Sequence, residues 1–169
     1  MIDAFTIALG SSKILNNLQA SFSEFNINDK KRLAFKDFEI RRDFLKDKEL
    51  NDIQSRIEHE DAELLEILKK LNENKDNPYN GDILFGSQKK IHQNLDIYLN
   101  YLEGIAMLIK EKALISANSP GFWTYYFRRI HNWAPLWEYA SLPEYEWDVL
   151  VNHCKEAQRT YEQRKLSKP

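Results

Sequence analysis

Cysteine is almost missing from this chain. Cys154 stands alone among 169 residues, so no intramolecular disulfide can form. With no recognisable secretory leader either, a reducing cytoplasm is the expected compartment. Glycine and proline are sparse, five of each, which argues against a loop-rich sheet protein and for long regular elements. Neither sign of charge dominates: 24 Lys and Arg stand against 26 Asp and Glu, a net charge of −2, which disfavours a strongly basic nucleic-acid binder but leaves a local patch possible. Long apolar runs are absent. The longest, residues 102–109, contains Glu103 and is far too short to span a bilayer. Residues 2–9 are mildly apolar but carry Asp3 and lack a basic flank, so they read as neither signal nor anchor.

Catalytic signatures are missing as well. There is no glycine-rich phosphate loop, nucleophile elbow or dinucleotide fingerprint. The four histidines, His59, His92, His131 and His153, form neither His-Glu-x-x-His nor Glu-x-x-His, so no metal and no cofactor is expected. The helical nuclease spacing Arg-x4-6-His fails too, because Arg128 and Arg129 stand only three and two residues from His131. Cys154 falls at an inward helical position, where an inert core thiol is the cheaper reading than a nucleophile beside His153.

What is present is apolar periodicity near 3.6, with 43% apolar and 12% aromatic residues available for a core. The spacing predicts an all-α, single-domain bundle of five or six helices across residues 1–169. A first helix would carry Ile14, Leu15, Leu18 and Phe22, and a second Leu33, Phe38, Phe44 and Leu45. A third is expected from Leu50, Ile57, Leu64 and Leu71, which recur every seven residues, with Glu60 interrupting the seam. That seam packs either within its own domain, the leading reading, or against another chain. A loop is predicted at residues 72–82, where Pro78 and an Asn-Gly pair oppose helix. Residues 88–115 are apolar on every face, as a central helix would be. Ser119 and Pro120 would start an aromatic helix that Pro135 bends or ends. Ser141 and Glu144 have capping-box spacing before a last helix, and a polar, frayed tail is expected from about residue 164.

Residues 98–109, Tyr-Leu-Asn-Tyr-Leu-Glu-Gly-Ile-Ala-Met-Leu-Ile, precede an aromatic segment with Trp123, Trp133 and Pro135. Over roughly residues 88–140 this pattern resembles the bacterial family known as domain of unknown function 4760. The resemblance implies a small helical fold and a bacterial or phage setting. It implies no activity and no catalytic residues, since none is established for the family. Many members have an N-terminal membrane helix, which this sequence does not show.

Three groups of residues are candidate sites. Glu103, on an otherwise apolar helix, needs a partner or a proton if buried, and Arg128 or Arg129 is the expected partner. With His131 they would make a polar set for a small enzyme or toxin. The aromatic segment at residues 122–147, interleaved with Arg128, Arg129 and His131, is expected to be core first, a partner hot spot around Trp133 and Trp137 second, and a base-stacking platform last. Finally, residues 30–48 hold eight basic and four acidic residues, whereas residues 49–66 hold one basic and seven acidic. Two antiparallel helices would balance these fields; a docking surface for a charged partner is the sharper alternative. The sequence favours a non-catalytic protein–protein interaction or regulatory subunit of a bacterial or phage complex, with defence as one process it could serve. Its partner would be another protein or a second copy. Nucleic acid is the weaker alternative, and no membrane is expected.

Overall fold

The computed structural model of the chain describes residues 30–75, 83–112, 114, 121–143 and 146–167, with side chains from residue 36 onward. The helix expected around Ile14 to Phe22, the Asn-Gly turn and the Ser119–Pro120 start lie outside the described residues. Seven α-helices and no strand are found among the described residues. They are α1 (Lys30–Lys46), α2 (Lys48–Glu58), α3 (Ala62–Glu73), α4 (Ser87–Lys110), α5 (Phe122–Asn132), α6 (Ala134–Ala140) and α7 (Asp148–Leu166). No helix among them is long and apolar enough to cross a membrane.

α4 is the axis of the assembly. Its 24 residues bury side chains from Ile91 to Ile109 on several faces, because α2, α3 and α7 all pack against it. The helix stops at Lys110, and Lys112 turns at φ 56°, so the expected helix end at residue 115 is five residues too late. α5 lies along α7, and α6 bridges α5 and α3.

The seven-residue seam holds across a break that the periodicity alone does not mark. Leu50 and Ile57 belong to α2, Leu64 and Leu71 to α3, and all four are buried inside the chain. α2 ends at Glu58 with His59 as its C-cap, Glu60 takes the left-handed φ of 49°, and Asp61 starts α3 by accepting from the Leu64 amide at 3.0 Å. Arg56 staples the two ends together through Asp52, Asp61 and Glu63. The break keeps the register because both helices still face α4 and the core. Asp47 caps α2 in the same way, accepting from the Glu49 and Leu50 amides at 2.9 Å.

α1 enters the core through Ile40 and Phe44, and Phe44 is the hub of an aromatic cluster. The rings of Tyr98, Tyr101, Phe122, Trp123 and Tyr126 all stand with centroids 5.0–6.3 Å from it. About two turns earlier on α1, buried Asp37 accepts from Trp123 Nε1 at 3.0 Å and pairs with Arg41. Pro135 sits in the first turn of α6, where its missing amide hydrogen has no helical partner to lose. α7 begins at Asp148, not at the Ser141 and Glu144 capping box, and extends to Leu166.

Candidate functional site

The polar residues predicted to converge do not. Glu103 is 6% exposed, but its carboxylate faces the first turn of α7 and accepts from the Leu150 amide at 2.5 Å. Among the described residues no arginine pairs with it. Arg129 reaches the opposite kind of helix end, donating to the Glu58 carbonyl at 2.5 Å where α2 runs out of amide partners. Arg128 donates to Gln158 Oε1 at 3.3 Å and lies with its guanidinium carbon 3.3 Å from the Tyr161 ring centroid. His131 stacks beside Trp137, with ring centroids 4.7 Å apart. The expected set around Glu103, Arg128, Arg129 and His131 is therefore distributed over separate contacts.

Glu103 and Arg129 have a common physical role. A helix presents orphan amides at its start and orphan carbonyls at its end, with the corresponding partial charges. Glu103 supplies the acceptor that no side chain of α7 itself supplies, since its N-cap residue is Trp147. Burial raises the Glu103 carboxyl to about 7, the Leu150 and Val149 amides pulling it back down; nearby Asp148 adds to the rise and Lys110 opposes it. A carboxyl at that level has the proton affinity of a general acid, but it is buried and its acceptor capacity is directed at backbone.

Glu103 is the last rung of a polar row on α4 that the sequence also contains. His92, Asp96, Asn100 and Glu103 follow one another at four-, four- and three-residue steps, so they share a face of the helix. Tyr139 of α6 donates its hydroxyl to Asp96 Oδ1 at 2.7 Å. His92 Nε2 lies 2.8 Å from the Tyr139 hydroxyl oxygen, and with the phenol proton committed to Asp96 the imidazole must donate. Trp147 Nε1 donates to Asn100 Oδ1 at 2.7 Å. The row thus fastens α6, the residue before α7 and the start of α7 to the central helix. Burial raises the Asp96 carboxyl, while His92 and the Tyr139 hydroxyl act against it. The i, i+4 spacing of His92 and Asp96 is the signal that a search restricted to His and Glu passes over. No group of three or more His, Cys, Asp or Glu positioned for a metal occurs among the described residues.

The aromatic segment is turned inward. Trp123, Tyr126, Phe127, Trp133, Tyr139 and Trp147 are buried, and Phe122 and Trp137 are partly buried against the core. Tyr125, at 46% exposure, commits its hydroxyl to Glu58 at 2.8 Å. Stacking platforms need rings held out to solvent beside a positive groove. Tryptophan emission should therefore be blue-shifted and resist iodide, and single-stranded DNA should bind weakly at physiological salt. Tight binding that quenches the tryptophans, with a steep salt slope, would contradict this. Cys154 is fully buried and burial pushes its thiol well up, so it stays protonated and inert.

Large apolar side chains stand exposed at Phe38, Leu45, Phe85, Tyr125, Tyr161 and Leu166, and α1 carries two of them. Phe38 is 61% and Leu45 53% exposed, seven residues apart on one face, with exposed Arg42 between them and exposed Lys46 beside them. The ion pairs of α1 formed among the described residues are within the helix, Arg41 with Asp37 and Arg42 with Asp43. Those of α2 and α3 are likewise Arg56 with Asp52, Asp61 and Glu63, and Lys70 with Glu66. Among the described residues, these ion pairs do not cross the α1–α2 contact.

No protein-family model, curated protein or solved structure matches this chain.

Proposed function

We propose that this protein is a non-catalytic interaction protein, a subunit or regulator that docks through the outer face of α1. The bacterial or phage setting rests on the resemblance to domain of unknown function 4760, and a role in defence is the process it would serve there. The observation that carries the reading is the exposed Phe38–Arg42–Leu45–Lys46 stripe, an apolar and basic face not covered by the described residues. Large exposed apolar side chains ringed by charge are typical of docking sites. Leu50, Ile57, Leu64, Leu71 and Trp133 are buried and Trp137 is half-buried, which favours the exposed face of α1 as the docking surface. The enzyme alternative is weaker because its residues serve separate helix ends and stacking contacts.

The double variant Phe38→Ser/Leu45→Ser tests this reading. Both positions face solvent, so stability should change by no more than about 0.5 kcal/mol per site. In extracts of the native host, the parent chain should elute within an assembly, cross-linking through a photoreactive side chain at position 45. The folded variant should leave that assembly. A variant that co-elutes with the parent in a species of the same size would remove α1 from the interaction.

A further inference from the structure

We infer that the occupant of the α1 face is a second copy of this chain, in a two-fold dimer that sets α1 of each protomer against α2 of the other. The inference rests on the docking reading of α1 and names its partner. Its basis is the complementarity of two adjoining surfaces. α1 ends at Lys46 and α2 begins at Lys48, so only Asp47 separates the helices. α1 presents Phe38, Arg42, Leu45 and Lys46 outward; α2 presents Glu49, Asp52 and Ser55 outward, with Glu60 exposed in the turn beyond. The ion pairs on each helix leave a surplus. Arg56 is shared by three carboxylates, Arg42 has only Asp43 at 3.4 Å, and Lys46, Glu49 and Glu60 take part in no ion pair among the described residues.

A two-fold axis near Asp47 satisfies both surpluses at once. It superposes each protomer on its partner, so the contact of α1 with the partner's α2 is repeated as the contact of α2 with the partner's α1, and the interface closes on itself without growing into a fibre. Arg42 and Lys46 stand about 6 Å apart along α1 and Glu49 and Asp52 about 4.5 Å along α2, from the rise of a helix. Long cationic side chains span that difference. Phe38 and Leu45 then lose water against the aliphatic stems of the opposing helix. Two single-helix contacts make a small interface, below about 1,200 Å², of the weak and transient class. Micromolar affinity and strong salt sensitivity follow.

Charge reversal tests the pairing directly. One variant carries Arg42→Glu and Lys46→Glu, which makes both of its surfaces acidic. The other carries Glu49→Lys and Asp52→Lys, which makes both basic. Sedimentation velocity at about 0.01 M salt, where screening reaches about 30 Å, should show the parent as a dimer at a concentration on the order of 100 µM. At about 1 M salt, with a screening length of about 3 Å, it should dissociate. Each variant alone should be monomeric, and an equimolar mixture should recover a one-to-one dimer. Circular dichroism confirms that each variant is folded; should either reversal unfold, Leu45→Ser alone should still weaken the parent dimer. A monomeric parent at low salt, or a mixture that fails to pair, overturns the dimer. Neither result touches the docking face itself, which fails only if Phe38→Ser/Leu45→Ser keeps its place in the host assembly.

Discussion

Replacing Glu103 with glutamine abolishes most of a pH dependence that the parent protein carries in a single buried carboxyl. In the unfolded chain that carboxyl titrates near its ordinary value of 4.5; in the folded protein burial raises it to about 7. Between those values the folded state holds a proton that the unfolded state has released. Stability therefore falls as pH rises through this window, and is greatest, for this group, below it. Each pH unit of separation is worth about 1.4 kcal/mol, so the parent should lose about 2–3 kcal/mol from this site between about pH 5 and about pH 8.5. Glutamine keeps a carbonyl for the Leu150 amide and cannot ionise. Its constant costs, including any unpaired amide hydrogen, cancel when the two pH values are compared. Denaturant melts of both proteins at both pH values give the double difference, with the variant gaining on the parent as pH rises. Parallel pH profiles would mean that Glu103 is solvated or held by a cation, contrary to its place under α7.

That result would also explain why Glu103 stood out in the sequence while its partner did not. An acidic residue on an apolar helix announces that something must compensate it, and the search for compensation turns to Arg128 and Arg129. The compensating charge is not in a side chain. It is the orphan amides at the start of α7, and their position depends on where that helix begins. The capping pattern at Ser141 and Glu144 suggests a start that the fold does not use, because a cap reaching from α4 serves the purpose instead. Arg129 shows the same effect with the signs reversed, its target being backbone carbonyls at the end of α2. Backbone charge is invisible to residue-type reasoning until helix ends are located in space.

The central helix and the seam were readable because apolar periodicity is a strong, redundant signal: many residues repeat the same instruction. The turn at His59–Asp61 rests on two residues, Glu60 in the left-handed region and Asp61 as a cap, and the heptad continues smoothly across it. The polar row from His92 to Glu103 was written at helical spacing too. Its meaning depends on Tyr139 and Trp147, more than forty residues away, and nothing local indicates that they come to meet it.

Leu64→Asp should unfold the protein outright, whereas Leu45→Asp should leave it folded. Both replace a leucine by a carboxylate on the first three helices, and the helix dipole favours the new charge in the first turn of α3 and opposes it in the last turn of α1, so it works against the expected difference. They differ in burial: Leu64 is 0% and Leu45 53% exposed. Truncating a buried leucine costs about 2–5 kcal/mol. A carboxylate left there without a partner adds several more, or must take up a proton to remain. Aspartate at position 64 would also stand one helical turn from Ile67 and Leu68, both fully buried, leaving no route to water. The sum meets or exceeds the roughly 5–15 kcal/mol by which domains are stable. At position 45 the same carboxylate remains hydrated and costs a few tenths of a kcal/mol. Far-UV circular dichroism of the purified variants separates the cases, and light scattering reads assembly on the same samples. A folded Leu64→Asp protein that had lost a partner would return the seam to the surface and make α2 and α3, rather than α1, the docking helices. With Leu64 packed where α3 meets the core, loss of the helical signal is the expected outcome, and Leu45→Asp should forfeit self-association alone.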